Sequence, residues 1–206
     1  TMASVINNGI TEGSGDLVGG MIGVLNNGDI NISGSSNFGE IYGTQFVGGF
    51  IGGVEENSNV YMINSSNSGK ITGADFVGGF IGYEYSSTSI ISNSYNVGII
   101  SATALSAIYG AIVGDVQSTL TLTDVFHLTG TSLRAIGEGT VTTGTATAIS
   151  IAQMAALSTF EDAGWDIAKS PSTSSVWSIQ YDGQTTYPWL TEMGEPHASQ
   201  IIETIP

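Results

Sequence analysis

The chain repeats a nine-residue motif at a nearly fixed step. "DLVGGMIGV" (16–24), "QFVGGFIGG" (45–53) and "DFVGGFIGY" (75–83) align on Val18, Val47 and Val77, and "AIYGAIVG" (107–114) is a decayed copy centred on Tyr109. The spacings are 29, 30 and 32 residues. A step of this length marks units that stack and bury their apolar faces against one another. Around the motif, each unit carries an Asn-x-Gly turn: "NFGEIYG" (37–43), "NSGKITG" (67–73) and "NVGIIS" (96–101), with "NNGITEG" (7–13) as an irregular first. A strand-like piece precedes each turn, as in "DINIS" (29–33), "NVYMIN" (59–64) and "SIISNSY" (89–95). No helical period occurs inside a unit.

Three short strands per unit, separated by Gly, Asn and Ser corners, predict an all-β fold. The expected architecture is a right-handed β-helix, a solenoid of about 4–5 rungs over residues 5–149, with rungs about 4.8 Å apart. Like residues then stack. The predicted columns are Leu17/Phe46/Phe76/Ile108, Val18/Val47/Val77/Tyr109, Met21/Phe50/Phe80/Ile112 and Ile22/Ile51/Ile81/Val113. Asn37, Asn67 and Asn96 form a turn column suited to satisfying corner backbone groups. Phe46 over Phe76 and Phe50 over Phe80 are both expected in buried columns. Glycine at one position in every copy means that no side chain fits there. Either another backbone crosses closely, or the strand bends and turns both apolar sets inward.

Composition narrows the function classes. Three cations (Lys70, Arg134, Lys169) face 18 acids, for a net charge of −15. No basic stripe exists to displace counterions, so nucleic acid is excluded as a partner, and anionic membranes and polyanions are repelled. There is no cysteine for a disulfide scaffold. No apolar run is long enough to span a membrane, so membrane insertion is not expected. "TMAS" (1–4) reads as a cloning scar, and the natural protein is expected to be longer, with neighbouring domains.

The units resemble the GLUG repeat of bacterial secreted and surface proteins. The resemblance rests on "N-x-G-x-I-x-G…VGG-x-I-G" and on "SNSYNVGIIS" (92–101), and covers about residues 5–115. Similar proteins also carry, after the last repeat, a stretch like "AQMAALSTFEDAGWDI…VWSI…DGQTTYPWL" (152–190), matched here almost throughout. That repeat occurs in adhesin-like proteins and in non-catalytic parts of large surface proteins, including some immunoglobulin A proteases. The resemblance implies an extracellular β-helical module and names no ligand.

Residues 150–190 are expected to cap the solenoid. Ser150 and Gln153 form a capping-box pattern, predicting a helix from about 151 to 160. "SVWSIQYDGQTTYPWL" predicts a hairpin, with strands near 175–181 and 185–190 and Asp182-Gly183 at its turn. Trp165, Trp177 and Trp189 serve as cap core in one reading. In the other, Trp177, Tyr187 and Trp189 form a sugar-stacking platform. Residues 191–206 are expected to be a linker or tail.

Catalytic signatures are missing. Neither His127 nor His197 has a metal-like neighbour, and neither H-E-x-x-H nor G-x-S-x-G occurs. His127, beside Phe126 and Leu128, reads as a structural or surface residue. Asp16 and Asp75 share a column with Gln45 between them, a spacing compatible with paired-carboxylate hydrolysis but also with avoidance of like charges. One corner is rich in oxygen donors: Asn26, Asn27, Asp29, Glu55, Glu56, Asn57, Asn59 and Glu84. Asp29, Glu55, Glu56, Asn57 and Glu84 are candidate calcium ligands, against the alternative of a solvated acidic corner. Otherwise no cofactor is expected. Threonine runs at 119–123 and 140–148 resemble the arrays of ice-binding solenoids but do not recur at the repeat step.

The functional expectation is a non-catalytic module of a secreted or cell-surface bacterial protein. It serves adhesion or acts as a rigid spacer, with a host or cell-surface glycan or protein as partner. A carbohydrate-binding module marked by an exposed aromatic row is the alternative, and a polysaccharide-acting enzyme the third.

Overall fold

The glycine pair splits the apparent strand over 45–53 into two, Phe46–Gly48 and Ile51–Glu55, which belong to different sheets. One turn of the coil therefore contains four strands where the sequence suggests three. In the third turn they are Asn59–Asn67, Ile71–Gly73, Phe76–Gly78 and the opening of Ile81–Asn96. The reason is backbone proximity. A Cβ on Gly48 would lie 1.9 Å from the Ile51 carbonyl oxygen and 2.8 Å from that of Phe80 in the next turn. A Cβ on Gly52 would lie 2.6 Å from the Val18 nitrogen in the preceding turn. The close-approach explanation holds, since the two arms touch through bare backbone. The chain also bends, but without turning both apolar sets inward, because Val47, Phe50 and Ile51 are buried while Phe46 is half-buried.

The computed structural model describes residues 1–129 and 134–202, which divide into two compact units, 1–148 and 149–206. The first is a β-solenoid of about four turns. Its strands pair in parallel, with Phe46↔Phe76, Val47↔Val77, Ile51↔Ile81 and Asn67↔Asn96 in register. Nearly equal unit length makes this register possible, and each turn's backbone groups bond to the turns on either side. Met2–Ala3 pairs in parallel with Ile32–Ser33, at the edge of the coil's largest sheet.

Two apolar clusters fill the interior. One gathers Phe50, Phe80, Ile51, Ile81, Met62 and their neighbours. The other holds Val18, Ile41, Val47, Ile71, Val77 and Ile100. An asparagine ladder is buried in the coil as well. Asn7 donates to Asn37 at 2.8 Å, Asn37 to Asn67 at 2.7 Å, and Asn67 to Asn96 at 2.7 Å, all Nδ2 to Oδ1. Asn67 also donates to the Gly69 carbonyl at 3.2 Å. The second glycine of each pair makes room for this ladder: a Cβ on Gly49 would sit 3.0 Å from Asn67 Oδ1 and 2.2 Å from the Gly79 carbonyl. His127 pairs with Asn96 in the next turn and is buried there.

The C-terminal unit departs from the predicted helix and hairpin in two ways. The capping box of Ser150 and Gln153 is present, but the helix stops after Ile151–Met154 and restarts as Leu157–Asp162. Thr159 Oγ1 donates to the Gln153 carbonyl at 2.8 Å, satisfying an acceptor that a continuous helix would use. Trp177–Ile179 does pair antiparallel with Trp189–Leu190, and Asp182 and Gly183 turn with φ of 45° and 74°. Thr185–Thr186, however, pairs with Ile201–Ile202, so residues up to 202 fold back where a linker is predicted. Gln200 is buried and holds this return, donating to the Pro188 carbonyl at 2.9 Å. Residues 203–206 of the predicted tail lie outside the described residues.

Gly48→Val and Gly49→Val should each abolish cooperative thermal unfolding, because their Cβ atoms meet backbone that cannot give way. Phe50→Ala should cost about 3–5 kcal/mol in a denaturant titration, the range for a large buried aromatic. Wild-type melting of either glycine variant would refute the close-approach account.

Candidate functional site

The sequence places its aromatic platform at Trp177, Tyr187 and Trp189, and the structure does not. Trp177 is 0% and Trp189 1% exposed, and Tyr187 is half-buried. Trp177 packs on Trp165 with ring centroids 5.2 Å apart, and Trp165 on Phe160 at 4.8 Å. In so short a unit without disulfides, large rings are needed to make a core, and these offer no free face to a ligand.

A surface aromatic row exists instead on the solenoid. Phe46 and Phe76 are half-buried, which corrects their predicted full burial. They stack across turns at 5.2 Å, with ring planes 14° apart. Tyr83 leans on both, 4.8 Å from Phe46 and 5.8 Å from Phe76. Tyr85 continues the row at 6.4 Å from Tyr83, its ring nearly parallel to that of Tyr83 and 46% exposed. The fold builds this row from the bend. Gly53, which occupies Tyr83's place in the preceding turn, has no side chain, and a Cβ there would meet Leu17 Cδ2 at 2.2 Å. The sequence signal was available in the strand alternation of Tyr83, Glu84 and Tyr85, which sends both tyrosines to one face.

Charge borders the row. Asp115 pairs with Tyr83 in the next turn and is 1% exposed; its Oδ2 accepts from Gln117 Nε2 at 2.9 Å. Burial, with Asp115, Tyr85 and Glu55 nearby, raises the Tyr83 phenol above its ordinary range.

The oxygen-rich corner is only partly assembled. Glu55 Oε2 accepts from Asn26 at 3.1 Å, and Asp29 Oδ1 from Asn59 at 2.6 Å. Glu56 and Asn57 are exposed, and Asn57 takes a left-handed φ of 54°. Glu84 does not join them. It occupies the column Leu25–Val54–Glu84–Val116 and is fully buried, so it is no partner for Glu55 in a calcium site. The step from Val47 to Val77 equals that from Val54 to Glu84, and this makes the correction legible in the sequence. Among the described residues no group of three His, Cys, Asp or Glu could hold a metal ion. Of the Asp16 and Asp75 pair considered for hydrolysis, Asp16 is exposed and Asp75 half-buried.

No protein-family model, no curated protein and no solved structure matches the chain.

The two aromatic sets should separate by mutation. Trp177→Ala should destabilise the C-terminal unit by about 3–5 kcal/mol. Tyr85→Ala should change the melting temperature little, because its ring is largely outside the core. Equal losses in thermal unfolding would contradict the assignment of core and surface.

Proposed function

We propose that the chain is a non-catalytic binding module of a secreted or surface-anchored bacterial protein, and that it contacts glycan through Phe46, Phe76, Tyr83 and Tyr85. The carrying observation is the stacked, half-exposed aromatic row, held on a frame whose strands pair in register on both sides at Phe46, Phe76 and Tyr83. Aromatic rings present flat apolar faces with little rotamer entropy to lose, and a tyrosine adds a hydroxyl at its rim. Such a row suits the apolar faces of successive sugar rings. The net charge of −15 favours neutral or cationic glycans over uronic or sulfated ones. The resemblance to GLUG repeats supports the extracellular setting and an adhesive or spacing role beside other domains.

A glycan array probed with the soluble chain, with and without calcium, tests the reading. Binding to neutral glycans should appear and should fall on the order of tenfold in Tyr85→Ala and Tyr83→Ala, as for central aromatic contacts. Calcium should leave it unchanged, and no reducing ends should be released from the bound glycan. A blank array would favour the rigid-spacer role, and glycan cleavage would overturn the non-catalytic reading.

A further inference from the structure

Glu84 has the chemistry of a functional group and no role in the row itself. Its neighbours along the column, Val54 and Val116, belong to the solenoid's main apolar cluster. Ser118 Oγ donates to its Oε2 at 3.0 Å, and the Ser89 hydroxyl faces the same carboxyl. Oε1 is buried and without a hydrogen bond of good geometry among the described residues, as are the Ser87 and Ser89 hydroxyls. An apolar side chain fills this position in the turns on either side, so the acid is a local exception.

The exception sits behind the aromatic row. Tyr83 and Tyr85 flank Glu84 in sequence and project to the opposite face of the strand. Just beyond them the pairing with the next turn slips, between Tyr85 and Thr88, and Ser86 takes a left-handed φ of 49°. The segment that carries both tyrosines is itself paired in register, and an irregular step of the strand follows it directly.

We propose that Glu84 is a proton-operated latch for the aromatic row: its neutral carboxyl keeps the third turn closed, and ionisation in place loosens the segment bearing Tyr83 and Tyr85. The effect on binding rests on the glycan reading, whereas the loosening itself does not. A neutral carboxyl is tolerated among valines with two hydroxyls beside it. A carboxylate there lacks a counter-charge, because the charged groups on the packed elements face elsewhere. Glu55 and Asp115 lie on the outer faces of their strands and act on Tyr83, and Glu138 pairs with Asp115 in the following turn. Burial pushes the Glu84 carboxyl up to about 7, with the hydroxyls of Ser89 and Ser118 pulling partly back. The folded-state value lies above the unfolded one, so the stabilisation is complete below the ordinary glutamate range. It declines as pH rises and is lost once pH passes about 7.

Hydrogen exchange at pH 5 and pH 8, corrected for intrinsic chemistry, reads the latch in the wild type and in Glu84→Gln. Between those values, wild-type protection over residues 81–92 should fall at least about tenfold further than that of the variant. General relief of acidic repulsion at low pH affects both proteins alike, so an identical pH response would overturn the proposal. Should the variant not fold, a carbon-detected titration of the wild-type Glu84 carboxyl decides the matter. A midpoint near 7 supports the latch, and one in the ordinary carboxylate range overturns it. Binding of cellohexaose and chitohexaose at both pH values separates the two claims. Tighter binding at pH 5 in wild type alone supports both. Absence of binding counts against the glycan reading, and exchange then judges the latch by itself.

Discussion

Contact between bare backbones at the glycine pairs is the constraint on which the solenoid depends. Gly48 and Gly52 let two sheets meet without side chains, and Gly49 leaves the space in which Asn67 bonds to the turns before and after it. A side chain at either position would separate the sheets, and the asparagine ladder would lose its packing partner with them. The ladder in turn fixes the register that stacks Phe50 on Phe80 and Ile51 on Ile81. Dispersion and hydrophobic burial fill the coil, but hydrogen bonds between identical positions decide which residues meet.

The same register accounts for the outside. Because every position recurs one turn later, a side chain on an outer column has its counterparts above and below it. Phe46 and Phe76 become a stack in this way, and Gly53 lets the row begin beside Leu17. Repetition also makes departures meaningful. Glu84 stands where the neighbouring turns have valine, and a buried acid in an apolar column is costly unless it stays protonated or finds a partner.

The C-terminal unit follows different rules. It has no repeat to supply register, so its order comes from a cluster of large rings, Phe160, Trp165 and Trp177, and from local hydrogen bonds. Residues 191–202 are polar and lack a period, which makes them resemble a linker in sequence. Their attachment depends on Gln200 meeting Tyr187 and Pro188, a contact that no local pattern announces.

The sequence by itself determined the stacked β architecture, the columns and the asparagine ladder, because an identical residue recurring at a constant step has few other ways to be buried. The capping box at Ser150 and the Asp182-Gly183 turn were equally legible, since both depend on neighbours within a few residues. Tertiary structure alone decided which side of the coil each column faces. Phe46 and Phe50 look equivalent in sequence, yet the bend at Gly49 turns one outward and the other inward. It also decided that the tryptophans are core and that Tyr83 and Tyr85 are surface. Aromatic character gives the size of a side chain and not the direction in which it points. Direction follows from where the backbone turns, and here that is set by which other backbone lies against the glycines.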